Sequence, residues 1–169
     1  MAPMEHHQCN DLHSTLQQIS FDLNQTINTF LALQQCAPSP SNTGYTAYLE
    51  SCLPHVQNLL KFFTDGRDLG EVTVRDFPPR DSSCDVTQAP DLAPVRDLIE
   101  QYLVYGNWME PSNCLLEFDQ ILGSAVAGLA EAFESFLDEL PAGSTEKLLL
   151  ENSTRVALRK LRTREHHKE

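Results

Sequence analysis

Apolar residues return along this chain at intervals of three and four, the period of a helix buried on one side. Between Asp11 and Cys36 they stand at Leu12, Leu16, Ile19, Leu23, Phe30 and Leu33, with Thr26 in the remaining position of the row. The other faces of this expected first helix carry mostly Gln, Asn, Ser and Thr. The stretch 37-APSPSNTG-44 ends it, because its prolines cannot continue a helical ladder. A second row of Tyr45, Tyr48, Leu49, Cys52, Val56, Leu59, Leu60 and Phe63 predicts another helix, kinked or broken where Pro54 removes a backbone donor. It stops at 64-TDGRDLG-70. Residues 66–91 then have the Pro, Asp and Ser content of a long irregular connection, with a short strand expected at 72-VTV-74.

Asp91 suits the N-cap of a third helix, with Pro94 in its first turn and Val95, Leu98, Ile99, Tyr102 and Leu103 inside. Gly106 closes it. Ser112 suits the cap of a fourth, whose inner row runs Leu115, Phe118, Leu122, Ala125, Leu129, Ala132 and Phe136, widened by Val126, Phe133, Leu137 and Leu140. Pro141 and Gly143 end it, and Ser144 or Thr145 opens a fifth through Leu148, Leu149, Val156, Leu158 and Leu161. The most apolar stretch, 120-QILGSAVAGLAEAFESFLDEL-140, is interrupted by Glu131, Glu134, Asp138 and Glu139, so no membrane span is expected there. Its apolar rows cover more than half the helix, which places it at the centre of a bundle. The expected fold is all-α: one domain over residues 1–169, a bundle of four or five helices with residues 120–137 at its centre and one long irregular connection. A chain of this length buries roughly 70% of its extended surface.

Charge divides the chain. The formal net charge is −12, which argues against general binding to nucleic acid or to an anionic membrane. Residues 1–60 contain no Lys or Arg, whereas residues 147–169 carry seven basic residues against three acidic ones. Five widely spaced cysteines, Cys9, Cys36, Cys52, Cys84 and Cys114, form no CxxC pair and fit a reducing, intracellular compartment, cytoplasmic or nuclear. The N-terminus lacks the basic and apolar regions of a secretory signal. Two glycosylation sequons, Asn24-Gln-Thr and Asn152-Ser-Thr, matter only for a chain that enters the secretory route.

Little in the pattern carries catalytic chemistry. His6, Cys9 and His13 share a helical face but make an incomplete ligand set, so neither a metal nor another cofactor is expected. Phosphate loops, dinucleotide fingerprints and nucleophile elbows are absent. Arg155, Arg159 and Arg162, at i, i+4 and i+7, form a cationic stripe beside Leu158 and Leu161. It suits an acidic protein or a nucleic acid, or alternatively packs on the acidic body. The first helix, with its heptad-like seam and uncharged flanks, offers a surface for a homo-oligomer.

Three resemblances add expectations. In 162-RTREHH-167, Arg162 and His167 resemble the Arg-x4-6-His element of the HEPN ribonuclease superfamily, which implies phosphate orientation by the arginine and acid–base cleavage by the histidine. The stretch 106-GNWMEPSNCLLEF-118, with Gly106, Asn107 and Trp108 ahead of Leu115, Leu116, Glu117 and Phe118, resembles the start of the central hairpin in apoptosis regulators of the B-cell lymphoma family. That resemblance implies a groove for an amphipathic partner helix, with Trp108 near it. A long crossover and two sequons are similar to those of a secreted four-helix cytokine. The leading expectation is a non-catalytic intracellular protein, regulatory or adaptor in role, acting on an unknown protein partner, with Arg155, Arg159, Arg162 and Trp108 as the binding residues.

Overall fold

A computed structural model describes residues 5–39, 41–64, 72–77 and 112–165. They form an all-α bundle: α1 (Glu5–Leu33), α2 (Thr43–Thr64), α3 (Ser112–Glu139) and α4 (Thr145–Glu165), with one 3₁₀ turn at Val74–Asp76. The expected helix after Asp91, Trp108 and His167 lie outside the described residues, as do the side chains of His6 and Cys9.

Local hydrogen bonds explain where the helices start and stop. Beyond Leu33 the chain tightens, the amides of Gln35 and Cys36 donating to carbonyls three residues back. Asn42 caps α2, its Oδ1 accepting from the amides of Gly44 (3.1 Å) and Tyr45 (3.2 Å). Gly143, with φ of +78°, makes the turn after α3. Ser144 then caps α4 through the Lys147 amide at 3.2 Å.

Cross-helix pairs fix the directions. Asp22 meets His55 and Thr26 meets Cys52, so α1 and α2 are antiparallel. Tyr45 meets Asp119 and Phe63 meets Phe133, so α2 and α3 are parallel. Ser20 meets Ser153 and Asn28 meets Lys160, so α4 runs parallel to α1 and packs along it. Thr64 and Ser112 therefore lie at opposite ends of the bundle.

α3 is buried over most of its circumference, as its apolar rows predict. Phe118, Leu122, Val126, Leu129, Phe133, Phe136 and Leu137 all belong to the core, and among the described side chains of α3 only a narrow line through Gln120, Ser124, Glu131, Ser135 and Asp138 is exposed. At one end Phe62, Phe63, Phe77, Phe133 and Phe136 cluster with ring centroids 5.0–6.4 Å apart, edge to face except for the tilted Phe62–Phe77 pair.

Three local expectations are corrected. Pro54 does not break α2, which runs unbroken through it. Both Pro54 and Glu50 are on the exposed side, where water can satisfy the carbonyl that loses its amide donor. The stretch 72–74 is not a strand: the Asp76 carboxylate accepts from the Thr73 amide at 2.8 Å and from its hydroxyl at 3.2 Å, which folds the segment into the 3₁₀ turn. Leu148 and Val156 do not face inward on α4, nor Tyr48 on α2. All three are exposed, and Leu150, Thr154, Ala157, Leu158 and Leu161 form the buried row of α4.

Candidate functional site

Asp22 is the single Asp, Glu, Lys or Arg between residues 12 and 49, and the fold buries it to 1% exposure. A carboxylate out of water needs donors. Three converge on it: His55 Nδ1 at 2.7 Å and Gln18 Nε2 at 3.2 Å on Oδ1, and Asn58 Nδ2 at 3.4 Å on Oδ2. Gln18 precedes Asp22 by four residues on α1, while His55 and Asn58 lie three apart on one face of α2. Because a carboxylate only accepts, the ring nitrogen facing it carries the proton. Phe21 sets its ring edge-on against His55, centroids 5.6 Å apart.

Asp22 lies in the wall of an open cleft of about 580 Å³ between α1 and α2, also lined by Ser14, Gln18, Asn58, Lys61 and Thr73. That volume suits a side chain or a small polar molecule. Oδ2 has only the long Asn58 contact and so keeps capacity for another donor. An Asp–His pair also occurs in nucleophilic catalysis, but among the described residues no hydroxyl or thiol is bonded to the second ring nitrogen of His55.

Two other polar contacts tie helices together. Tyr45, itself buried, donates its hydroxyl to Asp119 at 2.6 Å. Burial raises the Asp119 carboxyl above its usual value, and the Tyr45 bond partly offsets this. Cys52 is buried beneath α1, and burial pushes its thiol up to about 11, which leaves it protonated and unreactive at neutral pH.

The basic stripe is placed on α4, with its three arginines exposed. Arg155 is bound by Glu151 of its own helix, through Nε at 3.0 Å and Nη2 at 2.8 Å. Arg162 reaches Glu134 on α3. Lys160 donates to Asn28 on α1 at 3.3 Å. Arg159 is left with no side-chain partner among the described residues. The stripe is thus partly engaged with the body.

The periodicity reading missed Asp22 and its donors. The available signal was a lone acid within an uncharged amphipathic stretch; its histidine partner, 33 residues away, has no pattern that announces it. Among the described residues no helix is long and apolar enough to cross a membrane. Comparison with protein-family models, with curated proteins and with solved structures found no match to this chain.

Proposed function

We propose that this is a non-catalytic interaction protein whose α1–α2 cleft receives a basic side chain of a protein partner against Asp22. The observation that carries this reading is the buried carboxylate in the wall of an open cleft of mixed polar and apolar lining, with acceptor capacity left on Oδ2. The net charge of −12 favours encounter with a cationic segment, and Lys61 at the cleft offers a contact for a neighbouring acidic group. Direct titration of the full chain with an arginine-rich and a glutamate-rich peptide of equal length tests it. Saturable binding of the first, lost in Asp22→Asn while the thermal transition persists, is the expected result. Equal binding by the Asp22→Asn variant removes the reading.

A second reading keeps the α4 stripe as the working surface for an acidic protein or a nucleic acid. It is favoured by the unpartnered, exposed guanidinium of Arg159. It predicts salt-dependent association that Arg155, Arg159 and Arg162 changed together to Ala would weaken. The up-up-down-down order of four-helix cytokines gains no support, since α1 and α2 are antiparallel.

A further inference from the structure

Among the described residues two buried hydroxyls have no partner: Thr26 Oγ1 and Thr154 Oγ1, both on fully buried residues. Other helical threonines dispose of theirs differently. Thr29, Thr46 and Thr163 donate to the carbonyl four residues back, at 2.6, 3.2 and 2.8 Å. For packing alone, Val would fill either site with nearly the same shape and leave no hydroxyl unsatisfied. Among the described residues neither oxygen has a use in the fold.

Both threonines end a sequon. Thr26 closes Asn24-Gln25-Thr26 and Thr154 closes Asn152-Ser153-Thr154, the tripeptide whose third-position hydroxyl marks an asparagine for glycosylation. That hydroxyl is needed while the chain is still extended, before helix packing seals it away. A second observation concerns the surface. Among the described residues the exposed large apolar side chains are Phe21 (51%), Tyr48 (42%), Leu148 (63%) and Val156 (53%). Phe21 precedes Asn24 by three residues; Leu148 and Val156 stand four before and four after Asn152. These spacings put each on the same helical face as its asparagine. The hydrogen bond between the Ser20 and Ser153 hydroxyls, 2.6 Å, brings the two sequons together on the α1–α4 side.

We infer that Asn24 and Asn152 are N-glycosylation sites, and that their glycans cover the apolar residues beside them. In the transfer, each asparagine Nδ2 bonds to the anomeric carbon of the first sugar and loses one proton, which is released to solvent with the departing lipid pyrophosphate. The bond from that carbon to the pyrophosphate oxygen of a lipid-linked oligosaccharide donor breaks, and the lipid pyrophosphate leaves; no electrons change hands. In the folded state the Asn24 amide already donates to the Ser20 carbonyl at 2.8 Å, so transfer precedes folding there. The inference sets synthesis in an oxidising secretory lumen rather than the reducing compartment suggested by cysteine spacing. Among the described residues Cys36 and Cys52 are free thiols, and Cys52 is sealed in the core, out of reach of an oxidising lumen. The inference is independent of the α1–α2 cleft. It competes with the α4 stripe, since Arg155 lies three residues from Asn152 and Arg159 seven, under the proposed glycan.

The test is N-glycosidase digestion of the full-length protein from its native cells, followed by mass spectrometry of the peptides containing Asn24 and Asn152. Loss of mass on the protein with conversion of both asparagines to Asp is expected. Absence at both positions overturns the inference, and occupancy of only one strikes out the other. The unglycosylated full chain gives an independent readout. Thr26→Val and Thr154→Val should each melt at the same temperature or a few degrees higher. A lower melting temperature in either would show that the hydroxyl serves the fold, and would overturn the inference for that site. Thr154→Ser should retain the glycan that Thr154→Val loses.

Discussion

α1 and α3 are nearly equal in length, 29 and 28 residues, yet they are held by different physics. α3 buries rows of Leu, Val and Phe and leaves Glu131 and Asp138 on one thin exposed line, so its place follows chiefly from apolar burial. α1 also buries Leu16, Leu23 and Ile27, but on its flanks it adds Ser20, Asp22, Thr26 and Thr29. Ser20, Asp22 and Thr29 hold their place out of water through specific partners, while Thr26 Oγ1 has none among the described residues. α3 is thus a generic core element, whereas α1 is addressed to its neighbours through a register of hydrogen bonds, Asp22 to α2 and Ser20 to α4.

The difference can be broken most forcefully in α3. Leu129→Asp puts an unpaired charge where no donor waits, and should abolish the cooperative transition of a domain worth about 10 kcal/mol in all. Thermal circular dichroism showing a retained sharp transition would contradict the assignment of α3 to the core. In α1 the effect should be smaller and partner-specific. His55→Ala leaves Asp22 buried without its nearest donor and should cost about 1.5–3 kcal/mol in urea unfolding. The double change Asp22→Leu with His55→Phe should recover most of that loss. A double variant no better than the single one would show that the pair is needed for more than its own neutralisation.

Asp119 sharpens the contrast through pH. Its carboxyl is raised in the folded state, so the folded chain binds more protons than the unfolded one between the ordinary carboxyl value and the raised one. This group therefore lowers stability as pH climbs through that window and leaves the cost fully in place above it. Asp119→Asn should flatten that part of the stability profile, and unfolding midpoints at a series of mildly acidic pH values would reveal an unchanged slope if it does not. The smallest effect belongs to the surface: Arg162→Ala, losing the exposed pair with Glu134, should cost under about 1 kcal/mol and less still in high salt.

How much was legible in the pattern varies along the chain for the same reason. The row Phe118, Leu122, Leu129, Phe136 announces α3 because burial by apolar area needs no knowledge of the partner. In α4 the apolar residues are sparse and charges interleave them, so Leu148 and Val156 pass for members of the inner row although the fold turns them outward. Asp22 defeats periodicity altogether, since its burial depends on a histidine from another helix. The strand expected at 72–74 failed on a local competition, in which a carboxylate three residues on captured the Thr73 amide. The basic stripe was visible as a line of arginines, but sequence spacing does not say which acid each will meet.

The parallel pairing of the first and last helices has a consequence for biosynthesis. α1 leaves the ribosome first and finds the flank that covers Ser20 only when α4 has been made, more than a hundred residues later. At about 5–20 residues per second that is a wait of roughly ten seconds. During it, α1 presents a side of Gln, Asn, Ser and Thr, soluble without being charged. A segment that must stay in solution while nascent, and then close against a neighbour without leaving a stranded charge, is well served by that composition.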